Sequence, residues 1–317
     1  MAERAGGARV DSPALRSHVA GIEFQNPVLL AAGTAAYGRE LADVMDLERL
    51  GGLVTKAVSL EPRPGAPAPR VAEFDGGMIN AVGLANPGVD AVLADELPWV
   101  ARELHRARVI VNVVGRVVED FGDVVARLDA APGLHAFELN VSCPNTRAGG
   151  LEFGADAASL TAVVSRARAA TRRPIFVKLS PTLADIAFTA RCAVDAGADG
   201  ISVVNTMPGL VIDLATRRPK LGFGSGGVSG PGLRPVGVLA TWKVRKAVQV
   251  PIIGLGGIGS AEDALQYVLV GASLVAVGTA ALTNPRTPQR IVHDLAAWCA
   301  HNGVARLADI TGTLDWQ

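Results

Sequence analysis

Eight short runs of apolar, mostly β-branched residues recur along the chain, and stretches with helical apolar spacing lie between most of them. Buried parallel strands read as continuous apolar runs, and a crossover between two of them needs a helix. Eight such units in 317 residues predict one α/β domain, a (β/α)8 or TIM barrel. The predicted strands are 27–32, 52–57, 109–114, 136–141, 174–179, 200–205, 251–256 and 274–279, with helices over 156–172, 182–196, 234–248 and 261–270.

Three parts of the chain depart from this regular repeat. Residues 16–25 predict a hairpin that closes the bottom of the barrel, and long loop insertions follow the second and sixth strands. The second insertion holds GFGSGGVSGPG, which suits a flexible linker, a mobile lid or a third phosphate contact, and its position after the sixth strand favours the last two. We expect a flexible N-terminal extension over residues 1–20 and a single barrel domain over residues 21–317.

Charge and cysteine content argue against several classes of function. The 30 basic and 30 acidic residues balance, so nothing indicates nucleic acid or an anionic membrane as a partner. The three cysteines are widely spaced and no CxxC pair exists, so neither an iron–sulfur centre, a structural zinc nor a disulfide framework is expected in this chain. The sequence shows no signal-peptide core and no apolar run of about 18 residues, so a cytoplasmic location is expected.

Polar residues gather at the predicted C-terminal ends of the strands, where barrels of this kind place their chemistry. A buried Lys or Asn without a partner is costly, so these groups either satisfy one another and ordered water or bind a polar ligand. Taken as a set they favour a ligand. All five histidines fall outside the strand ends, and no metal site is predicted. The polar strand-end residues are Thr55, Lys56, Asn112, Asn140, Lys178, Asn205 and Thr206.

Glycines close the last two strands, in GLGGIG and AVGTA. The amides of Gly256, Gly257, Gly278 and Thr279 can approach a phosphate closely because glycine has no Cβ. Either pair alone is explained by a tight turn. Together, at adjacent strand ends, they indicate a cofactor or substrate that carries a phosphate.

Cys143 follows the fourth strand, three residues beyond Asn140. A lone cysteine is more often a small buried hydrophobe. Near two lysines its thiolate would be favoured, and no histidine competes for the role, so the whole constellation makes Cys143 the candidate proton acceptor. Cys192 and Cys299 lie in helical stretches and are interpreted as structural.

Several motifs, in this order along the chain, resemble the dihydroorotate dehydrogenases. They are MINAVGLANPG, NVSCPN, FVKLSP, VVNTMPG, GLGGIGSAEDA and AVGTA, within a similarity that runs from about residue 20 to residue 285. Cys143 stands where the membrane-associated class has Ser, so the chain resembles the soluble class 1. The segment CPNTRAGGLEFG is most similar to the catalytic subunit of subtype B.

This resemblance implies an activity, its cofactors and its partners. The activity is FMN-dependent oxidation of dihydroorotate to orotate in de novo pyrimidine (UMP) biosynthesis, with Cys143 as the catalytic base and Lys178 as a second catalytic residue that stabilises charge on the flavin. Electrons would pass to NAD+ through a partner subunit that carries FAD and a [2Fe–2S] cluster. One FMN per chain is implied, in a homodimer or in a heterotetramer with that subunit.

The resemblance also implies two sets of ligand-binding residues. Those for FMN are Ala32, Thr55, Lys56, Asn112, Asn140, Lys178, Val204, Gly230, Gly256, Gly257, Gly278 and Thr279. Those for dihydroorotate are Lys56, Asn80, Ala81, Val82, Gly83, Leu84, Asn140, Asn145, Asn205 and Thr206. Two positions depart from the family pattern: Ala85 stands where relatives often have Gln, and Ala32 where many have Ser.

Other functions fit parts of the same pattern. A fumarate-linked dihydroorotate dehydrogenase or a related flavin enzyme acting on pyrimidines would share most of these motifs. A flavin-free isomerase or aldolase, with a Schiff base on Lys56 or Lys178, would use the same glycines for a substrate phosphate. A flavin-carrying or scaffolding subunit that has lost catalysis is the alternative that is not an enzyme.

Overall fold

The computed structural model describes residues 11–142 and 153–316. Eight parallel strands form a closed barrel in which each strand pairs with the next along the chain and the last pairs with the first. The predicted (β/α)8 barrel is therefore confirmed, with seven strands slightly shorter than predicted and the third shifted by one residue. The barrel strands, numbered here from first to eighth, are Val28–Leu30, Gly52–Val54, Arg108–Val113, Ala136–Asn140, Ile175–Leu179, Gly200–Val203, Ile252–Leu255 and Leu274–Val277.

Helices surround the barrel, and several begin at side chains that cap their free amides. Asp156 accepts from the amide of Ser159, and Ser260 accepts from the amide of Asp263 in a capping box. The helices are Val89–Ala91, a π-helical stretch Val92–Glu96, Leu97–Glu103, Val118–Leu128, Ala157–Ala170, Ile186–Asp195, Arg234–Ala247, Ala261–Leu269, Thr279–Thr283 and Thr287–His301. Short 3-10 turns lie at Pro13–Leu15, Arg39–Leu41, Leu47–Arg49, Phe153–Ala155, Pro231–Leu233 and Leu307–Ile310.

Successive side chains of each barrel strand alternate between two apolar layers, one that faces the helices and one inside the barrel. In the fourth strand, Phe137 and Leu139 face the helices, whereas Ala136 belongs to the cluster inside the barrel. Because successive side chains of a strand point to opposite faces, Glu138 and Asn140 also belong to the inner face. This places polar residues on the inside of an otherwise apolar barrel, toward the C-terminal ends of its strands.

A hairpin closes the N-terminal end of the barrel, as predicted. Its strands Ser17–Val19 and Ile22–Phe24 pair antiparallel, and Val19 and Phe24 pack into the interior cluster. Leu15, just before the hairpin, is also buried. The hairpin crosses the boundary predicted at residue 20, so packing in the described chain extends to the N-terminal side of that boundary.

The two long insertions pair with each other above the barrel. Val71–Phe74 and Gly77–Asn80 come from the insertion after the second strand, and Met207–Gly209 and Gly226–Ser229 come from the one after the sixth. They form one four-stranded antiparallel sheet, which we call the cap sheet. The GFGSGG tract is therefore partly a sheet strand and not a linker. A further short pair joins Ile212–Asp213 to Arg218–Pro219.

Gly52 provides a test of how tightly the barrel is closed. A Cβ at this position would lie 2.0 Å from the carbonyl oxygen of Arg108, on the neighbouring strand. We expect Gly52→Ala to lower the free energy of unfolding by about 1–3 kcal/mol or more, because overpacking forces the backbone to move. Urea denaturation followed by circular dichroism measures this change.

Gly232→Ala is the matched control, since a Cβ there would meet nothing within 4 Å. We expect it to leave the unfolding midpoint close to that of the wild type. Equal midpoints for the two variants would contradict the described contact between the second and third strands.

Candidate functional site

A cavity of about 860 Å³ opens between the C-terminal ends of the barrel strands and the cap sheet. Most of the predicted site residues that the structure describes line it. They are Ala32, Lys56, Asn80, Val82, Gly83, Leu84, Asn112, Asn140, Lys178, Val204, Asn205, Thr206, Gly230, Gly256, Gly257, Gly278 and Thr279.

Two of the predicted site residues do not line this cavity. Thr55 is buried behind it, where its hydroxyl accepts a hydrogen bond from the Asn112 amide at 3.2 Å. Ala81 is buried in the small core under the cap sheet. Both residues support the cavity wall from behind.

Three buried polar side chains are linked at the floor of the site, where Asn112 and Lys178 line the cavity and Glu138 lies beneath them. Asn112 Nδ2 donates to Glu138 Oε1 at 2.7 Å, and Lys178 Nζ lies 3.9 Å from the same oxygen. Strand register produces this cluster, because Asn112 pairs with Glu138 and Asn140 pairs with Lys178 on adjacent strands. Sequence reasoning missed Glu138, which lies in the middle of an apolar run. The sequence did hold an indication, because Glu138 is a charged residue two positions before Asn140 and so lies on the same face of the strand.

The floor has hydrogen-bonding capacity that the described part of the chain does not use. Asn112 Oδ1 is buried and has no hydrogen-bond partner there. The Lys178 ammonium has only its ion pair with Glu138 among the described residues. Because buried polar groups are nearly always satisfied, these atoms indicate a polar ligand on the floor.

A second polar cluster lies beside the floor, at the ends of the fourth and sixth strands. Asn205 Nδ2 donates to Ser142 Oγ at 2.9 Å and to Asn140 Oδ1 at 3.3 Å. Ser142 Oγ in turn donates to the carbonyl of Lys178 at 3.3 Å. Ser142 was not predicted as a site residue, and it fixes the backbone just before position 143.

The glycines at the ends of the seventh and eighth strands form a cradle. Gly256 and Gly257 have positive φ angles of 124° and 69°, and a Cβ on Gly257 would lie 2.7 Å from the Arg234 amide nitrogen. A Cβ on Gly278 would meet nothing nearer than 3.7 Å. Tyr267 donates from its hydroxyl to the Gly256 carbonyl at 2.7 Å, and burial raises the pKa of this phenol. The cradle thus presents backbone without side chains to the cavity.

One helix start beside the cradle is already occupied by a carboxylate. Asp263 accepts from the amides of Gly259 and Ser260 at 2.9 and 3.1 Å and also pairs with Arg234. The Thr279 hydroxyl donates to Ser229 Oγ at 2.8 Å, which joins the eighth strand end to the cap sheet. An anion in this region would therefore meet the glycine amides and not the Asp263 helix.

The loop over the other side of the cavity is shaped by Asn86. Its Nδ2 donates to the Leu84 carbonyl at 2.8 Å, and its Oδ1 accepts from the amides of Ser59 and Gly88 at 3.2 and 2.9 Å. Leu84 has a positive φ of 56°, which this network holds in place. Ala85, the departure noted in the sequence, lines the cavity here.

Cys143 and Asn145 lie outside the residues that the structure describes, so their predicted roles stay predictions. Cys299 is buried on the last long helix, and burial raises the pKa of its thiol. Cys192 is half-buried and packs against the core that faces the helices. Both positions agree with the structural interpretation given to these two cysteines.

Comparison with known proteins identifies the family. The family model described as dihydroorotate dehydrogenase matches residues 14–298. The chain belongs to the dihydroorotate dehydrogenase family. The family resemblance stated from the sequence motifs is thereby confirmed.

Relatives within this family carry two names. A Pelobacter propionicus protein named dihydroorotate dehydrogenase B (NAD(+)), catalytic subunit, is 46% identical over 96% of this chain and 99% of its own length. A Desulforudis audaxviator protein of the same name is 47% identical over 93% and 95%. A Solibacter usitatus protein, provisionally named dihydroorotate dehydrogenase A (fumarate), is 46% identical over 96% and 99%.

A solved structure shares the fold. The crystal structure of DHODH from Eimeria tenella in complex with ferulenol matches with a TM-score of 0.83, over 97% of this chain and 90% of that one. At 24% sequence identity this match speaks for the barrel architecture alone. Among the helices of the described residues, none is long and apolar enough to span a membrane.

Asn86 tests whether the loop over the cavity depends on side-chain hydrogen bonds. Asn86→Ala should lower the free energy of unfolding by about 1–3 kcal/mol, because it leaves buried amides and a carbonyl unpaired. It should also make the loop around Leu84 more sensitive to limited proteolysis. Mass spectrometry of the fragments locates the cut.

Asn302→Ala serves as the control, since Asn302 is exposed and its side chain donates to the Trp298 carbonyl at its own helix end. It should change neither stability nor the cleavage pattern. Unchanged proteolysis of the Asn86 variant would refute its role in holding this loop.

Proposed function

We propose that this chain is the FMN-dependent catalytic subunit that oxidises dihydroorotate to orotate in pyrimidine biosynthesis. The observation that carries the proposal is the polar floor of the cavity, where Lys178 and Asn112 keep unused hydrogen-bonding capacity inside an apolar barrel. The family membership and the names of its relatives support the same activity.

The residues present fit FMN. Asn112 Oδ1 is a buried acceptor without a partner in the described chain, and Lys178 and Asn140 beside it offer donors, which suits a flavin ring that carries both N–H and C=O groups. The glycine cradle suits a phosphate, because Gly256, Gly257 and Gly278 line the cavity and have no side chain to keep an anion from the backbone. When bound, FMN supplies the hydride-accepting chemistry.

The substrate would be held by the asparagines and Lys56. Each amide offers both donors and acceptors, as the alternating C=O and N–H groups of the dihydroorotate ring require. Asn80 comes from the cap sheet, Asn140 and Asn205 from the strand ends, and all three line the cavity. Lys56 also lines it and would offset the substrate carboxylate.

Cys143 would act as the base. Oxidation of dihydroorotate removes a proton from C5 and a hydride from C6, and a thiolate at Cys143 Sγ would take the proton. What supports this role is the family motif NVSCPN and the anchoring of Ser142, immediately before Cys143, by Asn205 and by the Lys178 carbonyl. Asn145 would complete the set of substrate amides.

NAD+ would be the final electron acceptor, through a second subunit that carries FAD and a [2Fe–2S] cluster. The support is the name borne by the Pelobacter and Desulforudis relatives, a catalytic subunit of an NAD(+) enzyme. A homodimer of this chain within a heterotetramer is the corresponding assembly, and the cytoplasm its location. Fumarate is the second candidate acceptor, because the Solibacter relative is equally similar and its name specifies fumarate.

The activity is tested by anaerobic reduction of the purified protein. The wild type should show a flavin band near 450 nm that dihydroorotate bleaches. Cys143→Ser should retain the band and bind orotate, but be reduced at least about a hundredfold more slowly, the usual scale for loss of a general base.

Cys192→Ser is the control for this experiment, since Cys192 packs against the core, and it should be reduced at the wild-type rate. Reduction of Cys143→Ser at the wild-type rate would remove Cys143 from the mechanism. Protein without any flavin band would favour the isomerase or aldolase alternative, and a flavin that dihydroorotate fails to bleach would favour another pyrimidine substrate or a subunit without catalysis.

The electron acceptor is tested by turnover of the protein purified from its native host. We expect an iron-containing second chain to co-purify and NAD+ to support orotate formation, while fumarate does not. Turnover with fumarate by this chain alone would contradict the proposed NAD+ route.

A further inference from the structure

Glu138 occupies an unusual position for a carboxylate. It lies inside the barrel on the fourth strand, one layer below the cavity, and is 1% exposed. Its register partner on the fifth strand is Phe176, an apolar residue of the interior cluster. A side chain that only filled this layer would be apolar like Phe176, because burying a charge is costly.

Both polar partners of Glu138 face the cavity, whereas Glu138 itself does not line it. Asn112 Nδ2 donates to Glu138 Oε1 at 2.7 Å, and Lys178 Nζ lies 3.9 Å from that oxygen. The hydrogen bond fixes the orientation of the Asn112 amide, so that its Oδ1 is left for a ligand. The ion pair holds the Lys178 ammonium at the floor. Glu138 can therefore act on a bound group only through these two residues and through the field of its charge.

The charge of Glu138 has a direct electrostatic consequence. A single ammonium beside a flavin favours the negative charge that reduction adds to the ring, and so raises its reduction potential. A carboxylate about 4 Å from that ammonium, in a region shielded from water, offsets much of this effect. The pair Lys178–Glu138 then presents donors to the ring while adding little net charge.

We propose that Glu138 is a positioning residue that lowers the reduction potential of bound FMN by neutralising Lys178 and that orients Asn112 for FMN binding. This inference rests on the proposed function, since it requires that the cavity hold FMN. Glu138 does not line the cavity, so it would touch neither substrate nor cofactor, and this role would explain why a carboxylate is buried inside the barrel.

The test is the two-electron midpoint potential of FMN-loaded Glu138→Gln, measured by anaerobic dye-equilibrated reduction. Gln keeps an oxygen to accept from Asn112 and removes the charge. The equilibrium constant for reduction should rise at least about tenfold, which is a shift of about +30 mV. Glu138→Asp keeps the charge but is shorter, so its potential should stay closer to wild type while FMN dissociation becomes faster.

Glu48→Gln is the matched control. Glu48 accepts hydrogen bonds from the amides of His105, Arg106 and Ala107 before the third strand, at the opposite end of the barrel. This variant also removes one carboxylate charge and should leave the potential unchanged. A shift equal to that of Glu138→Gln would show that the effect is not local.

The outcomes separate this inference from the proposed function. Wild-type apoprotein is titrated with FMN. If it binds none, the proposed function is refuted, and this inference with it. FMN-loaded Glu138→Gln with the wild-type potential refutes the inference alone. If Glu138→Gln does not fold, Glu138→Asp tests the inference instead. This variant keeps the negative charge and weakens FMN binding. An upward shift of its potential that follows the loss of FMN affinity would contradict charge as the cause.

Discussion

The buried ion pair between Lys178 and Glu138 is the interaction on which the site depends. Pairs of this kind are seldom retained for stability, because the desolvation of both charges consumes most of their attraction and an apolar pair of similar volume often does as well. This barrel has an otherwise apolar interior in which Phe176 occupies the layer beside Glu138. The polar floor is therefore best understood as an arrangement for a ligand, held in register by adjacent strands.

The cap sheet forms the side of the cavity that lies opposite the polar floor. Two insertions that leave different barrel strands pair with each other, and Asn80 pairs in register with Gly227. Ser229, at the end of the same sheet, accepts from Thr279 at the eighth strand. The residues that would meet the substrate and those that would meet the cofactor phosphate are thus connected through one small sheet. Flexible loops would leave this geometry undefined.

The barrel could be predicted from the sequence because each buried parallel strand is a continuous apolar run. The strand-end residues followed from the same reasoning, since the polar residue that ends such a run lies at the mouth of the barrel. Thr55 shows the limit of that rule: it is at a strand end, yet its side chain supports Asn112 and does not line the cavity. The hairpin within residues 16–25 was also predicted, and its strands are Ser17–Val19 and Ile22–Phe24.

The remaining features depend on contacts that are distant in sequence. The pairing of Gly77–Asn80 with Gly226–Ser229 joins glycine-rich segments of weak strand propensity, so no local pattern indicates it. Glu138 was missed because its two polar partners, Asn112 and Lys178, lie on two other strands. Asn86 was not singled out from the sequence, and only the folded loop reveals its network of hydrogen bonds.

The most direct measurement of the central claim is a crystal structure of the FMN-loaded protein. The account predicts that Asn112 Oδ1 and Lys178 Nζ both gain hydrogen bonds to the flavin ring, that the phosphate meets the glycine cradle, and that Glu138 keeps its contacts with Asn112 and Lys178. A flavin bound elsewhere, or one that leaves Asn112 Oδ1 and the Lys178 ammonium without hydrogen bonds, would contradict it.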